Sequence, residues 1–349
     1  MRLEPVASPS LGRSLGYPAA ALGLSVAVAS FLALLAGANP SATLGLILKG
    51  AAGSQFAALE TLNRATPLIF TGLAVAVAFR AKLWNIGAEA QLYMGALMTV
   101  LLGTSALGLP GPQPLIFIGV AAMVGGALML LGPVILKTRF GVDEVVTTLL
   151  LNFIMLLFIS LLLEGPLKDP IGMGWPKSPR LDPEARLPRI VDGLRLHWGF
   201  ALALISAVCV WVIETRTTLG YEIRAVGQNP RAARFAGIPV NVVLVKTALL
   251  SGGLAALAGF SEVSGLKGSL TLDLSPGFGY TGIIVAMLAL LHPIGVVFSA
   301  IFVAGVFVGA DSMSRAAGVP TYIADILLAT ALLFMVLAIL LVRFRIVRG

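Results

Sequence analysis

Few side chains in this sequence can do chemistry inside an apolar setting, and they fall in three clusters. Asn85, Glu89 and Gln91 lie in NIGAEAQLYMGAL, just after Arg80 and Lys82. Amides and carboxyls are costly to expose to lipid, so these groups must face protein or water. With Gly87 they suit the polar lining of a cavity. The plainer alternative is a cytoplasmic turn with Glu89 opposite Arg80 or Lys82. Thr147, Thr148 and Asn152 in GVDEVVTTLLLN recur at about one helical turn. Such a stripe either touches solute or hydrogen-bonds helices together, which is its commoner use. The third cluster is GYEIRAVGQNPRAARFAGIP, residues 220–239. There Ala232, Ala233 and Ala236 form a flat face ringed by Arg224, Arg231 and Arg234, suited to plug a groove on another protein. An ordinary basic loop that fixes membrane orientation is the competing account.

What is missing narrows the chemistry. No GxxxxGK[ST] phosphate loop occurs, so the chain is not expected to bind and hydrolyse ATP. HExxH, a Ser/His/Asp grouping and a convincing pair of intramembrane acids are also lacking, which argues against an enzyme. Cys209 is the single cysteine, so no disulfide or cysteine metal site forms within one chain. His197 and His292 stand far apart and read as interfacial residues, and no metal site is expected. Work done by such a chain draws on a partner ATPase, or on an ion gradient acting through Glu89, Glu262, Asp311 and Asp325. Those acids fall near predicted helix ends, where solvation explains them more simply.

The elements that must hold these clusters are membrane helices. In 349 residues, 58% are hydrophobic and 11% charged, with mean hydropathy +0.98, too little polar surface for a soluble globule. Apolar runs of bilayer length recur without the alternation of a β-barrel, which predicts an all-α polytopic bundle, a single transmembrane domain over 1–349. The net charge of +8 sits mainly at segment ends, which fits orientation better than nucleic acid. The run 15–38 reads as a retained first helix, although Ala36 and Ala38 resemble a signal cleavage site. Residues 39–66 are expected along the outer interface. The segment 67–79 looks too short to span and, with the polar stretch after it, like a broken helix beside a cavity.

Spans are then read at 87–109, 115–136 and from Asp143 and Glu144 onward, before a hydrophilic external loop at about 164–197. Trp175 and Trp198 suit an interfacial belt there. Asn229 as N-cap, Pro230 at the first helical position and Gly237 with Pro239 as the stop predict a short helix over 230–236. Further spans follow from 242 to 342, with Gly305 and Gly309 spaced for close helix approach. The total is about ten, with both termini cytoplasmic. TGLAVA at 71–76 is echoed by TGIIVA at 281–286, and both would run from outside to inside.

Four motifs in order, AFRAKLWNIGAEAQ, GVDEVVTTLLLN, GYEIRAVGQNPRAARFAGI and GFGYTGIIVAML, resemble the permeases of ATP-binding-cassette importers in the branched-chain amino acid and ribose class. The nucleoside or simple-sugar subgroup is the most similar. The resemblance covers about 66–341. It implies a type II importer fold of about ten helices in a bacterial plasma (inner) membrane, multi-pass, and a translocation path for a small polar solute. It also implies a second permease subunit, non-identical, two cytoplasmic ATPases that bind the ATP and Mg, and an extracytoplasmic solute-binding protein. This chain itself would hold no cofactor. By the same resemblance, the segment at about 216–240 couples to the ATPase through Arg224, Gly227, Asn229, Pro230, Ala232, Ala233 and Gly237. Asn85, Gly87, Glu89, Gln91 and Asn152 would line or gate the path. The chain departs from the family pattern at Ala90, where glycine is usual, and at ALLHP, 289–293, in place of a glycine-containing turn.

Overall fold

A computed structural model describes residues 2–5, 11–35, 37–104, 114–172, 174–191, 193–318 and 321–347. Ala36 and residues 105–113, which include the end of the span read at 87–109, lie outside them. The regular structure of the described chain is helical apart from a two-stranded antiparallel ribbon that pairs β1 (Arg2–Pro5) with β2 (Phe344–Val347). It divides into two compact units, 1–61 with 302–349 and 62–301.

In the first unit, α1 (Leu11–Leu35) packs along α13 (Tyr322–Arg343). A bend of 116° separates α1 from α2 (Pro40–Ala52). Asn39 caps α2 by accepting from the Ser41 amide at 3.0 Å, satisfying an amide that the first turn leaves bare. Of the two spaced glycines, only Gly309 is used for close approach: a β-carbon there would collide with the Ile47 carbonyl, whereas one at Gly305 finds ordinary contact distances.

Residues 39–66 are not one continuous element. They form α2 and the first half of α3 (Gln55–Arg80), which runs 26 residues through Pro67 and is long and apolar enough to span. The segment read as too short is thus the second half of a full helix. The break comes after it, at 81–87.

The second unit is built around α4 (Ala88–Gly103), α5 (Leu115–Phe140) and α10 (Val240–Ser261). Their interface is nearly backbone on backbone. A β-carbon at Gly252 would meet the Gly126 carbonyl, and one at Gly259 the Leu92 carbonyl. In lipid no hydrophobic force draws helices together, so close approach of small residues supplies the attraction. Outside this core lie α6 (Glu144–Glu164) and α7 (Gly199–Arg216). Asp143 caps α6, accepting from Val145 at 2.7 Å.

Among the described residues, seven helices are long and apolar enough to cross a bilayer, or eight if α1 and α2 form one bent span. The predicted ten is reached only by adding α4, with 16 residues, and α11 (Phe278–Leu288), with 11. At 1.5 Å per residue these extend roughly 24 Å and 17 Å, short of a hydrocarbon core about 30 Å thick.

The echoed segments meet. Gly282 lies against Thr71 and Gly72 against Val285. The Thr71 hydroxyl donates to the Phe278 carbonyl at 3.0 Å, and Arg80 Nε donates to the Leu291 carbonyl at 3.1 Å. Contacts advance together along both chains, so α3 and α11 run parallel, the shared direction read from the sequence. Each ends in the same type of cap: Leu83 N–H returns to the Ala78 carbonyl and Leu291 N–H to the Ala286 carbonyl. This closure puts the intervening residue in the left-handed region, normally a glycine position. Here it holds Lys82 at φ 54° and Leu290 at φ 52°, and Leu291 follows at φ 61°. The ALLHP departure is therefore accommodated by strain. Leu290→Gly should raise thermal stability by up to about 1 kcal/mol, the cost of a left-handed branched residue, as read by a melting shift in detergent.

Between α6 and α7, residues 187–191 and 193–198 pair as two arms, joined by Ile190 N–H to Leu196 O at 2.8 Å and Trp198 N–H to Pro188 O at 3.0 Å. His197 is fully buried and packs on Gly265, in the wider π-form turn Glu262–Lys267 that ends α10. Its Nδ1 accepts from Gly199 N–H at 3.1 Å, which places the neutral ring's proton on Nε2. Burial pushes the imidazole down to about 4 from 6.5. The unfolded chain therefore takes up the proton first, and stability present above pH 6.5 is lost as pH falls toward 4, by about 3 kcal/mol at most. Melting followed from pH 7.5 to 5 should fall more steeply in the wild type than in His197→Gln.

Candidate functional site: a short capped helix and a buried amide network

The charged island folds into α8 (Thr218–Gln228) and α9 (Pro230–Phe235). Asn229 caps α9, its side-chain oxygen accepting from Arg231 and Ala232 at 3.0 and 3.2 Å, with Pro230 at the first helical position. Gly237 ends it at φ 83°. The local chemistry is as read from the sequence, and the helix closes one residue earlier than the predicted Ala236.

Its faces differ from the expected ones. Ala233 is 4% exposed, turned into the chain's own second unit, so the alanines do not make one outward surface. Ala232 and Ala236 remain exposed, and beside them Phe235 is 97% exposed. A phenylalanine held clear of its own protein and flanked by Arg231 and Arg234 has the make-up of an anchor for a partner's pocket. Phe235 was missed because an aromatic amid alanines reads as core; its position inside a charged island was the available signal.

Arg224 and Gly227 face inward as well. Arg224 Nη1 donates to the Glu214 carbonyl at the end of α7. Gly227 lets α8 lie on the end of α3, where a β-carbon would strike the Arg80 carbonyl. Arg80 in turn pairs with Glu214 at 3.1 Å. These residues seat the island on its support, while Asn229, Pro230 and Gly237 shape the exposed tip.

The polar residues of the second cluster are all engaged, in separate groups of hydrogen bonds. Asn85 Nδ2 donates to Gln91 Oε1 at 2.9 Å and to Ser251 Oγ at 3.0 Å, and its Oδ1 accepts from Gln91 Nε2 and Gly87 N–H, both at 3.0 Å. Ser251 passes its own proton to the Ala74 carbonyl at 2.7 Å. Asn152 reaches from α6, accepting from Ala90 N–H at 2.9 Å and donating to Ile86 O at 2.9 Å and Tyr280 Oη at 3.0 Å. Glu89 accepts from Gly279 N–H at 2.6 Å, in the first turn of α11, where a carboxylate complements the bare amides and helix dipole. Thr148 Oγ1 accepts from Ile86 N–H at 3.2 Å and Glu144 Oε1 from Trp84 N–H at 3.2 Å, while Glu144 also pairs with Lys137.

The five residues expected on the path are thus brought together, yet the four with polar side chains are each no more than 3% exposed, and Gly87 is buried too. Asn85 and Gln91 satisfy each other, Asn85 and Asn152 hold the open backbone at Gly87 and Ile86, and Glu89 holds the first turn of α11, as irregular backbone at membrane depth requires. Glu89 engages neither Arg80 nor Lys82. Thr148 and Asn152 act as helix glue. Ser251 and Tyr280 were not anticipated, since nothing in their local sequence distinguishes them from ordinary helix residues.

Residues 57–340 match the family described as "Branched-chain amino acid transport system / permease component". The chain belongs to that family. Its relatives include the "Glucose ABC transporter permease protein TsgB13" of Haloferax volcanii, 33% identical over 99% of this chain and 93% of the relative. The "Guanosine ABC transporter permease protein NupP" of Bacillus subtilis is 35% identical over 91% of each. The "Nucleoside ABC transporter permease protein NupB" of Lactococcus lactis is 30% identical over 92% of this chain and 90% of the relative. This protein is accordingly a multi-pass permease subunit of an ATP-driven ABC importer, not an enzyme, and the comparisons do not favour an ion-gradient mechanism.

Proposed function

We propose that this permease conducts a nucleoside or a simple sugar, the solutes named for its relatives, and that α9 is its contact with a cytoplasmic ATPase. The observation that carries the coupling role is the almost complete exposure of Phe235 on a helix capped at both ends. The six residues of α9 are too few to be stable alone, so they are held by Ala233 beneath and Asn229 in front. ATPase closure would then push on α8, which rests on the Arg80 end of α3 and so on the broken segment 81–87 and its amide network. Conduction requires the ATPase to favour one arrangement of the helices, since only differential affinity shifts an equilibrium.

In this reading residues 1–349 act as one transmembrane domain in the plasma (inner) membrane, with both termini and the 216–240 segment cytoplasmic and the 164–197 connection outside. Its partners are ATPases that hold ATP and Mg, a second, non-identical permease and an extracytoplasmic solute-binding protein. Asn85, Gly87, Glu89, Gln91 and Asn152 set the spacing of helices beside the path. The test is uptake of labelled guanosine and of glucose into proteoliposomes holding the co-purified complex. ATP-dependent uptake of one and competition by its congeners is expected. Uptake driven by a proton or sodium gradient without ATP would refute the reading.

A further inference from the structure

Among the described residues, three other than glycine stand in the left-handed region. Two of them, Leu290 at φ 52° and Leu291 at φ 61°, are consecutive in the turn between α11 and α12 (Pro293–Ala317). That conformation destabilises a branched residue and persists only where the surroundings impose it. Here they do. Leu290 N–H donates to Met287 O at 3.0 Å, Leu291 N–H to Ala286 O at 2.8 Å and His292 N–H to Ala289 O at 2.9 Å, while Gly295 N–H donates back to His292 Nδ1 at 3.3 Å. From the far side, Arg80 Nε holds the Leu291 carbonyl.

So firmly held a turn leaves the Leu290 side chain 60% exposed. At the matching cap of α3 the left-handed residue is Lys82, also exposed, and water solvates its charge. A leucine is unfavourable twice in such a place, in its backbone and in the apolar surface it leaves uncovered. Glycine would remove both costs. Strain kept against so simple a remedy points to a contact that the side chain makes.

The neighbours of the turn say with what. Arg80 also pairs with Glu214 at the end of α7, and its carbonyl lies against Gly227 in α8, shortly before α9 begins at Pro230. The Leu290 turn and the Phe235 tip therefore sit at the same end of the second unit, tied through one side chain. Arg80, Glu214, the exposed Lys82 and the exposed His292 set that level at the membrane surface, since charged groups avoid the hydrocarbon. Acyl chains do not cover the leucine there.

We propose that Leu290 is a second point of contact with the ATPase that docks on α9, seated in an apolar hollow of that partner. This rests on the coupling role proposed for α9. One knob fixes a position, and two fix a direction of push. Leu290 also has a direct route inward: α11 runs from this turn back to Gly279, whose N–H Glu89 holds at 2.6 Å. A load on the turn thus reaches the first turn of α4 along a single helix.

The test is site-specific photo-cross-linking in the assembled importer. With Cys209, the single cysteine, replaced by Ser, the variants Leu290→Cys, Phe235→Cys and Ile171→Cys are each labelled with a thiol-reactive benzophenone. Ile171, 86% exposed on the 164–197 connection, is the control. Probes at 290 and 235 should both capture the ATPase, and the probe at 171 should not. Capture from 235 but not from 290, where only lipid is labelled, overturns the second contact and leaves the role of α9 standing. Capture from 290 alone upholds the contact and ends the docking role of α9, and capture from neither removes both. A second measurement uses Leu290→Gly, which relieves the strain and should melt no lower than the wild type. Its ATP-dependent uptake should nevertheless fall about tenfold, the effect of truncating one interface anchor. Wild-type uptake by so stable a variant overturns the proposal.

Discussion

Phe235→Glu should abolish ATP-dependent transport, at least about a hundredfold, in a protein that inserts, melts and purifies like the wild type. The ring makes almost no contact with its own chain, so removing it costs the fold little. An interfacial aromatic anchor contributes about 2–4 kcal/mol to a complex, and a carboxylate in its place would be driven into a desolvated pocket. The measurement is co-purification of the ATPase together with uptake. Retained coupling in the variant would end the docking role of α9. Ala233→Glu is a poor substitute, because it would bury a charge in the permease's own second unit. It is expected to lower stability whether or not α9 touches a partner.

The second large effect is expected at Asn85. Asn85→Leu leaves the Gly87 amide and both ends of the Gln91 amide without partners inside the protein, each a loss of about 1–3 kcal/mol. The sum, at least about 3 kcal/mol, should appear as a marked fall in melting temperature and poor accumulation in the membrane. Asn152→Leu, which frees Ala90 N–H and Ile86 O, should behave alike. Were Asn85 instead a solute contact, the variant would melt normally and change only the apparent KM. Melting and uptake measured on one preparation separate the two.

How legible all this was depends on the range of the interactions. The cap, first turn and stop of α9 lie within nine residues, and Asn229, Pro230 and Gly237 mark them directly. Which way Ala233 points did not follow, because six residues carry too little periodicity to define a face. In the network, the cost of amides in lipid showed that Asn85, Glu89, Gln91 and Asn152 need partners. It did not show that Asn85 and Gln91 would pair with each other and with a serine 166 residues away, or that Glu89 and Asn152 would hold backbone groups and Tyr280 instead. Helix number suffered similarly. Both α4 and α11 are shorter than a bilayer, and the apolar run 87–109 carries no sign that the first of them stops at Gly103.

Arg80 has a consequence for recombining such proteins. Its guanidinium holds Leu291 and Glu214, and its carbonyl faces Gly227, so three stretches far apart in sequence, the end of α3, the α7–α8 pair and the end of α11, meet at one residue. A segment 218–239 transplanted from another permease would bring its preferred motor only if the recipient supplied a matching arginine, acid and uncluttered helix end. Exchange of ATPase specificity should therefore travel as this mortised set, and inheritance of the tip alone should yield a correctly inserted but idle channel half.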